Sequence, residues 1–268
     1  MLLLILAQSD DTSAFILGNY LNNRGIQTTV LSDVDLVSAR TWQFEATNDE
    51  MQFMITLQNG ESFSQESYDL IYCRLNRFTI SHFPKVDDQS YASGEFQAMV
   101  SGWLEFQAAK LINPVHPLLL GKPAANPLLI YHHFRQAGIP VIETVYTTSP
   151  GKINNPPLSL QMHHLNLLPR KPSIIEQNVK PEISCALITG EKVSGVMAEH
   201  YPEQLLKLRD ITGLDLFKVF FQKTEENEWG ALYYTPIFNF TGIDELGQFA
   251  DYLNFKQKQI SHDHNSWH

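Results

Sequence analysis

The sequence predicts an α/β protein: an N-terminal parallel-sheet domain followed by an α+β domain. Three observations carry that prediction. Leu2–Ala7 is an unbroken apolar run, the pattern of a strand covered on both faces. The segment from Ser13 to Arg24 places Phe15, Ile16, Tyr20 and Leu21 at helical spacing, and Gly25 stops it. Thr28–Leu31 then reads as a second strand, so the chain opens strand, helix, strand, which is the start of a parallel sheet.

The remaining elements follow in order. Phe53–Leu57 and Glu61–Phe63 flank Asn59-Gly60, a strong hairpin signal. Tyr68–Arg74 is a core strand that ends close to two arginines, Arg74 and Arg77. Gly94–Ala109 has helical periodicity in Phe96, Met99, Val100, Trp103, Leu104 and Phe106. Leu111–Ile112 is a short strand closed by Asn113-Pro114. A second domain begins near His116. Asn126–Gln136 is its first helix, with Pro127 suited to the first turn, and Ile139–Thr148 is a strand. Prolines 150, 156, 157, 169 and 172 punctuate the next stretch, which has room for a short strand around Leu158–Gln161. Ser173–Val179, Glu182–Thr189, Lys192–Met197, Asp215–Lys223 and Gly230–Tyr234 read as strands; Glu203–Thr212 and Asp244–Phe255 read as helices. The expected organisation is residues 1–115, 116–260 and a flexible tail, 261–268.

Composition narrows the function classes. The 268-residue chain is 43% hydrophobic, enough for a sizeable core, and carries a net charge of −10. That charge opposes nucleic acid or an anionic membrane as partner. Two distant cysteines, Cys73 and Cys185, provide neither a disulfide framework nor a zinc ribbon, and both fall in apolar runs that suit buried free thiols. The opening MLLLILA is too short to span a bilayer and lacks a cleavage site. A reducing, cytoplasmic location is the expectation.

Four segments carry a family resemblance. INPVHPLLLGKPAANPLLIYHHFRQAGIPVIETVYTTSP, SIIEQNVKPEISCALITGEKVSG, EQLLKLRDITGLDLFKVFFQK and ALYYTPIFNFTG together resemble the ATP-grasp superfamily, in the branch of glutathione synthetase and the glutamate-adding and peptide-modifying ligases. The resemblance implies two α+β lobes between which ATP and a carboxylate meet. There magnesium neutralises phosphate charge while an acyl phosphate forms, and an amine then attacks. The sequence departs from that pattern where the chemistry sits. Cys185 stands in place of a phosphate-binding arginine, Phe220 in place of an aspartate, and Ile237 in place of the glutamate of a Glu-x-Asn pair, of which Asn239 survives. The stretch Thr148–Ser173 is too short for the usual lysine strands and offers no glycine-rich phosphate loop after Gly151.

The resemblance therefore implies a catalytically degenerate protein that binds a peptide or protein, such as an active ligase or a second copy of itself, with no cofactor. The alternative is a live carboxylate–amine ligase, using ATP and magnesium, with metal ligands relocated to Glu225, Glu226, Glu228 or Asp244. Arg74 and Arg77, at a strand end, suit recognition of a carboxylate or acidic peptide, or else plain surface salt bridging. A third reading is a small-molecule binder that uses Arg74 and Arg77; on it, Arg74→Ala abolishes ligand binding without unfolding the protein. Lys122 stands in a nucleotide-proximal loop or is simply solvated. Glu176 with Gln177 falls on the hinge whose backbone would meet an adenine. Asn239 is a residual metal ligand or a structural amide. His132-His133 and His163-His164 are adjacent pairs whose side chains point apart. His262 and His264 form a His-x-His in the tail, a zinc or nickel site or an adventitious one.

Overall fold

The computed structural model of the chain describes residues 1–46, 51–115, 120–121, 127–142, 144–147, 161–164, 182–224 and 227–265. It opens as expected. Strand β1 (Leu2–Ala7) is buried over its last five residues. Helix α1 (Thr12–Asn23) starts at Asp11, whose carboxylate accepts from the Ala14 amide. Strand β2 (Gln27–Ser32) runs parallel to β1, from Leu2 opposite Gln27 to Ala7 opposite Ser32.

Two elements next in line are illegible in the sequence. Helix α2 (Asp33–Val37) is one short turn and a half, held by a reciprocal capping box between Ser32 and Asp35. Strand β3 (Thr41–Ala46) pairs antiparallel with β4 (Met51–Thr56), which pairs with β5 (Ser62–Ser64) across the Asn59-Gly60 turn. Gly60 has φ of 89°, which a side chain would disfavour. Strand β6 (Leu70–Cys73) then returns to β1 in parallel, giving the order β2-β1-β6. Helix α3 (Val86–Phe106) begins eight residues earlier than the apolar spacing indicates. Asp87 and Asp88 favour its first turn through the helix dipole, a signal that periodicity does not register. Trp103 of α3 is buried against Phe53 (centroids 5.1 Å) and edge-on to Trp42 (5.6 Å), joining the meander to the helix in one core. The expected strand at Leu111–Ile112 is a single bridge, Leu111 to Ile71.

The second stretch begins with α4 (Pro127–Ala137). Strand β7 (Thr144–Thr147) pairs in parallel with β8 (Gln161–His164). Strands β9 (Ile183–Thr189) and β10 (Lys192–Ser194) form a hairpin; α5 (Pro202–Thr212), β11 (Leu216–Lys223) and β12 (Trp229–Thr235) follow. The sheet order is β10-β9-β11-β12. One face is covered by helices and the segment before α5: Phe134 of α4 meets Tyr234 edge-on (5.8 Å), and Tyr201 stacks on Phe221 (5.6 Å, 8°). The strand expected over Ser173–Val179 and most of the proline-rich stretch lie outside the described residues.

The chain ends in α6 (Ile243–Asn265). Its helix continues ten residues past Phe255 and into the segment expected to be a loose tail. No Gly or Pro interrupts Phe255–Asn265. The chain divides into two compact units. Unit 1 comprises Met1–Ala125, Gly213–Phe217 and Thr235–His268; unit 2 comprises Asn126–Thr212 and Lys218–Tyr234. Helix α6 joins unit 1 because Phe249 packs on Tyr72 of β6 (5.5 Å) and Tyr252 donates to Asp215 (3.1 Å). No helix among the described residues is long and apolar enough to cross a membrane.

Candidate functional site

In unit 1, β1 lies between β2 and β6, so the crevice at the carboxyl ends of β1 and β6 is the usual ligand position of an open parallel sheet. Here side chains of the protein itself fill it. Gln8, just past β1, accepts through Oε1 from the amides of Asn76 (2.9 Å) and Arg77 (3.1 Å), and donates from Nε2 to Asp33 (2.8 Å). The Ser9 amide donates to the other Asp33 oxygen (2.7 Å).

Arg74 is buried, at 1% exposure, which departs from both an open ligand contact and a surface salt bridge. Its Nε and one terminal nitrogen donate to the two oxygens of Asp11 (2.7 and 3.1 Å). The other terminal nitrogen donates to the Phe238 carbonyl (2.9 Å) and the Tyr72 hydroxyl (3.2 Å). Tyr72 in turn donates to the Pro236 carbonyl (2.8 Å). Burial pushes the Tyr72 phenol well above its usual range, so it stays a neutral donor. Burial opposes the Arg74 charge, but the oxygens of Tyr72 and Asp11 outweigh it, and the guanidinium titrates above its usual value. The arrangement ties the 236–240 segment to β6 through two carbonyls.

That segment holds Ile237 and Asn239. Ile237 is half-buried, beside Gly121; Gly121 itself sits so close to the Cys73 carbonyl that an added Cβ would lie 2.3 Å from its oxygen. Phe238 and Phe240 lie 5.0 Å apart, and Phe240 meets Phe249 at 5.6 Å. Asn239 is exposed and has an interaction of its own. Arg77 is exposed, and among the described residues it has no ion-pair partner.

In unit 2, the sheet face opposite α4 carries Phe220, Tyr233 and Cys185. Phe220 of β11 stacks on Tyr233 of β12, centroids 4.7 Å apart and planes 19° from parallel. Burial first, and the nearby Cys185 second, push the Tyr233 phenol above its usual range. Cys185 is half-buried rather than buried, because its strand starts at the exposed Ile183 end. Lys218, two residues before Phe220, is buried at 1% exposure and has an interaction of its own. Sequence reading passes over Lys218, although a lone lysine inside LFKVFF is a legible signal. Asp11, Gln8 and Tyr72 are likewise missed, since only the fold shows that they meet Arg74.

The other candidates stay apart or outside. On α4, His133 Nδ1 lies 2.7 Å from the Tyr234 hydroxyl, while burial and its neighbour His132 hold it below the usual histidine value. Lys122, Glu176 and Gln177 lie outside the described residues, as do Glu225 and Glu226. Glu228 and Asp244 are exposed. His262 and His264 fall in the last turns of α6. Among the described residues, no group of three or more His, Cys, Asp or Glu is placed to hold a metal ion. Magnesium takes oxygen ligands, and the phenyl of Phe220 and the butyl of Ile237 offer none, so these positions do not fit the ion.

In sequence the chain matches no protein-family model and no curated protein. In structure it is similar to the macrocyclase MdnC of Microcystis aeruginosa MRC, bound with precursor peptide MdnA, with a TM-score of 0.70 at 13% identity over 95% of this chain and 100% of that one. It is also similar to a Chryseobacterium gregarium RiPP-associated ATP-grasp ligase in complex with ADP and a leader and core peptide (0.59, 11%, 95% and 97%). A third similar structure is a RimK domain ATP-grasp protein from Sphaerobacter thermophilus (0.53, 12%, 94% and 99%). The fold of this chain is that of the ATP-grasp proteins, as the four segments imply.

Proposed function

We propose that this chain is a catalytically degenerate ATP-grasp-like protein that binds a peptide or a protein partner, instead of joining a carboxylate to an amine. One observation carries the reading: the stacked Phe220–Tyr233 pair stands on the strand to which the family resemblance assigns a metal-binding carboxylate. Cys185 on β9 and Ile237 in the connection after β12 support it. A triphosphate brings several negative charges, and an apolar surface offers neither cation nor ligand to neutralise them. The similar structures in complex with peptides support a peptide as the occupant. Arg77, exposed at the strand ends, is the candidate contact for a peptide carboxylate; Lys122, Glu176 and Asn239 are the other candidate contacts.

Thermal denaturation with ATP and magnesium tests the reading. A ligand at a thousand times its Kd stabilises the folded state by about 4 kcal/mol. The expected result is a melting temperature that millimolar ATP with magnesium leaves unchanged. A magnesium-dependent rise, followed by ADP release with a carboxylate and an amine, would establish the ligase with relocated metal ligands and overturn the proposal.

A further inference from the structure

We infer that His133 and Tyr234 form a pH-sensitive latch, which holds helix α4 on its sheet and is released on acidification. His133 stands in the middle of α4, and its Nδ1 lies 2.7 Å from the hydroxyl of Tyr234 on β12. The two rings are 6.1 Å apart and 26° from parallel. The next residue on the helix, Phe134, meets the same Tyr234 ring edge-on (5.8 Å). Helix α4 opens unit 2 and Tyr234 is its last residue, so the latch ties the start of that unit to its end. Just after α4 the backbone is bonded to β12 as well: the Ala231 amide donates to the Pro140 carbonyl (2.7 Å) and the Ile142 amide to the Ala231 carbonyl (3.2 Å). That ladder carries no titratable group, so it persists when the side-chain bond is lost.

The polarity of the bond makes it sensitive to protons. Tyr234 is 4% exposed, and burial pushes its phenol up to about 12, so it stays a neutral O–H donor. Neutral His133 carries its proton on Nε2 and accepts that O–H at Nδ1. Protonation puts a hydrogen on Nδ1 too. Two hydrogens then face each other across 2.7 Å, and the phenol has to turn its own hydrogen away inside the core. The new charge also sits on a half-buried ring.

The charged surroundings do not compensate it. On α4, His132 lies 6.4 Å from His133 between ring centroids and repels a second positive charge, while Arg135 is exposed. On α5, which packs against α4, Arg209 is paired with Asp210 (2.7 Å), and Glu203, Lys207 and Asp210 are exposed. Strand β12 has no charged residue. Burial first and His132 second therefore hold His133 below the usual histidine value of 6.5. A histidine lowered in the folded state gives its full stabilisation above that usual value and loses it as pH falls below. The pair lies on the helix-covered face of the sheet, opposite the Phe220–Tyr233 stack, so the latch works with or without a bound peptide.

Hydrogen exchange of the full chain, read by mass spectrometry at about pH 7.5 and about pH 5.5 and corrected for the intrinsic rate, tests the latch. Relative to the amides of α1 in unit 1, those of α4 should exchange roughly threefold faster at the lower pH. His133→Gln keeps an acceptor for the phenol without a titrating ring, and should protect α4 equally at both pH values. Tyr234→Phe removes the hydroxyl, and should leave α4 less protected already at the higher pH. Circular dichroism confirms that each variant is folded. Protection of α4 in the unchanged chain that is the same at both pH values, or an acid-induced loss that persists in folded His133→Gln, would overturn the inference.

Discussion

Replacing Arg74 by alanine would remove a cation that bridges α1, β6 and the connection after β12. In the structure its guanidinium makes four hydrogen bonds: two to Asp11, one to Tyr72 and one to the Phe238 carbonyl. Breaking a buried pair from one side costs about 3–5 kcal/mol, because the remaining charge is left uncompensated. The Asp11 side chain keeps 13% exposure, so water relieves part of that, and the expected loss is about 3 kcal/mol. Urea denaturation followed by tryptophan fluorescence measures it as a fall in midpoint. The double variant Arg74→Met/Asp11→Asn removes both charges and should lose less than Arg74→Ala alone. A loss under about 1 kcal/mol for Arg74→Ala, the range of exposed ion pairs, would refute the reasoning and reinstate Arg74 as a solvent-facing ligand contact.

Four further outcomes follow from the geometry. Gly121→Ala would set a methyl against the Cys73 carbonyl at 2.3 Å, a backbone clash that no side-chain rotation relieves; a loss above about 3 kcal/mol is expected by chemical denaturation. Asn113→Ala should cost about 2–4 kcal/mol by the same assay, since its amide accepts from the Asp215 and Leu216 amides (both 2.9 Å) and donates to the Leu216 carbonyl (2.6 Å) in the interior. Burial pushes the Cys73 thiol from 9.0 up to about 12 and the Tyr234 phenol from 10.0 to about 12. Both pKa values are raised in the folded state, so the unfolded chain gives up these protons first. Their contribution to stability is intact below pH 9 and is lost as pH climbs toward about 12, which denaturation midpoints across that window check. With a thiol reagent near pH 8, half-buried Cys185 should react well before Cys73.

The sequence by itself determined the elements whose signals are local. Leu2–Ala7 is apolar throughout because both faces of a central parallel strand are covered, and Asn59-Gly60 marks its hairpin because glycine tolerates a positive φ. The four segments point to the ATP-grasp fold through residue types at fixed places along the chain. Helix α2 and strand β3 carry no such signal. The first is held by a Ser32–Asp35 cap, and the second by pairing with a strand ten residues away along the chain. The burial of Arg74 and the joining of α6 to the first unit were decided by tertiary structure alone. Each depends on partners far away in sequence, Asp11 and Phe238 for Arg74 and Tyr72 and Asp215 for α6, and no pattern within one segment encodes which distant group will neutralise a charge or cover a ring.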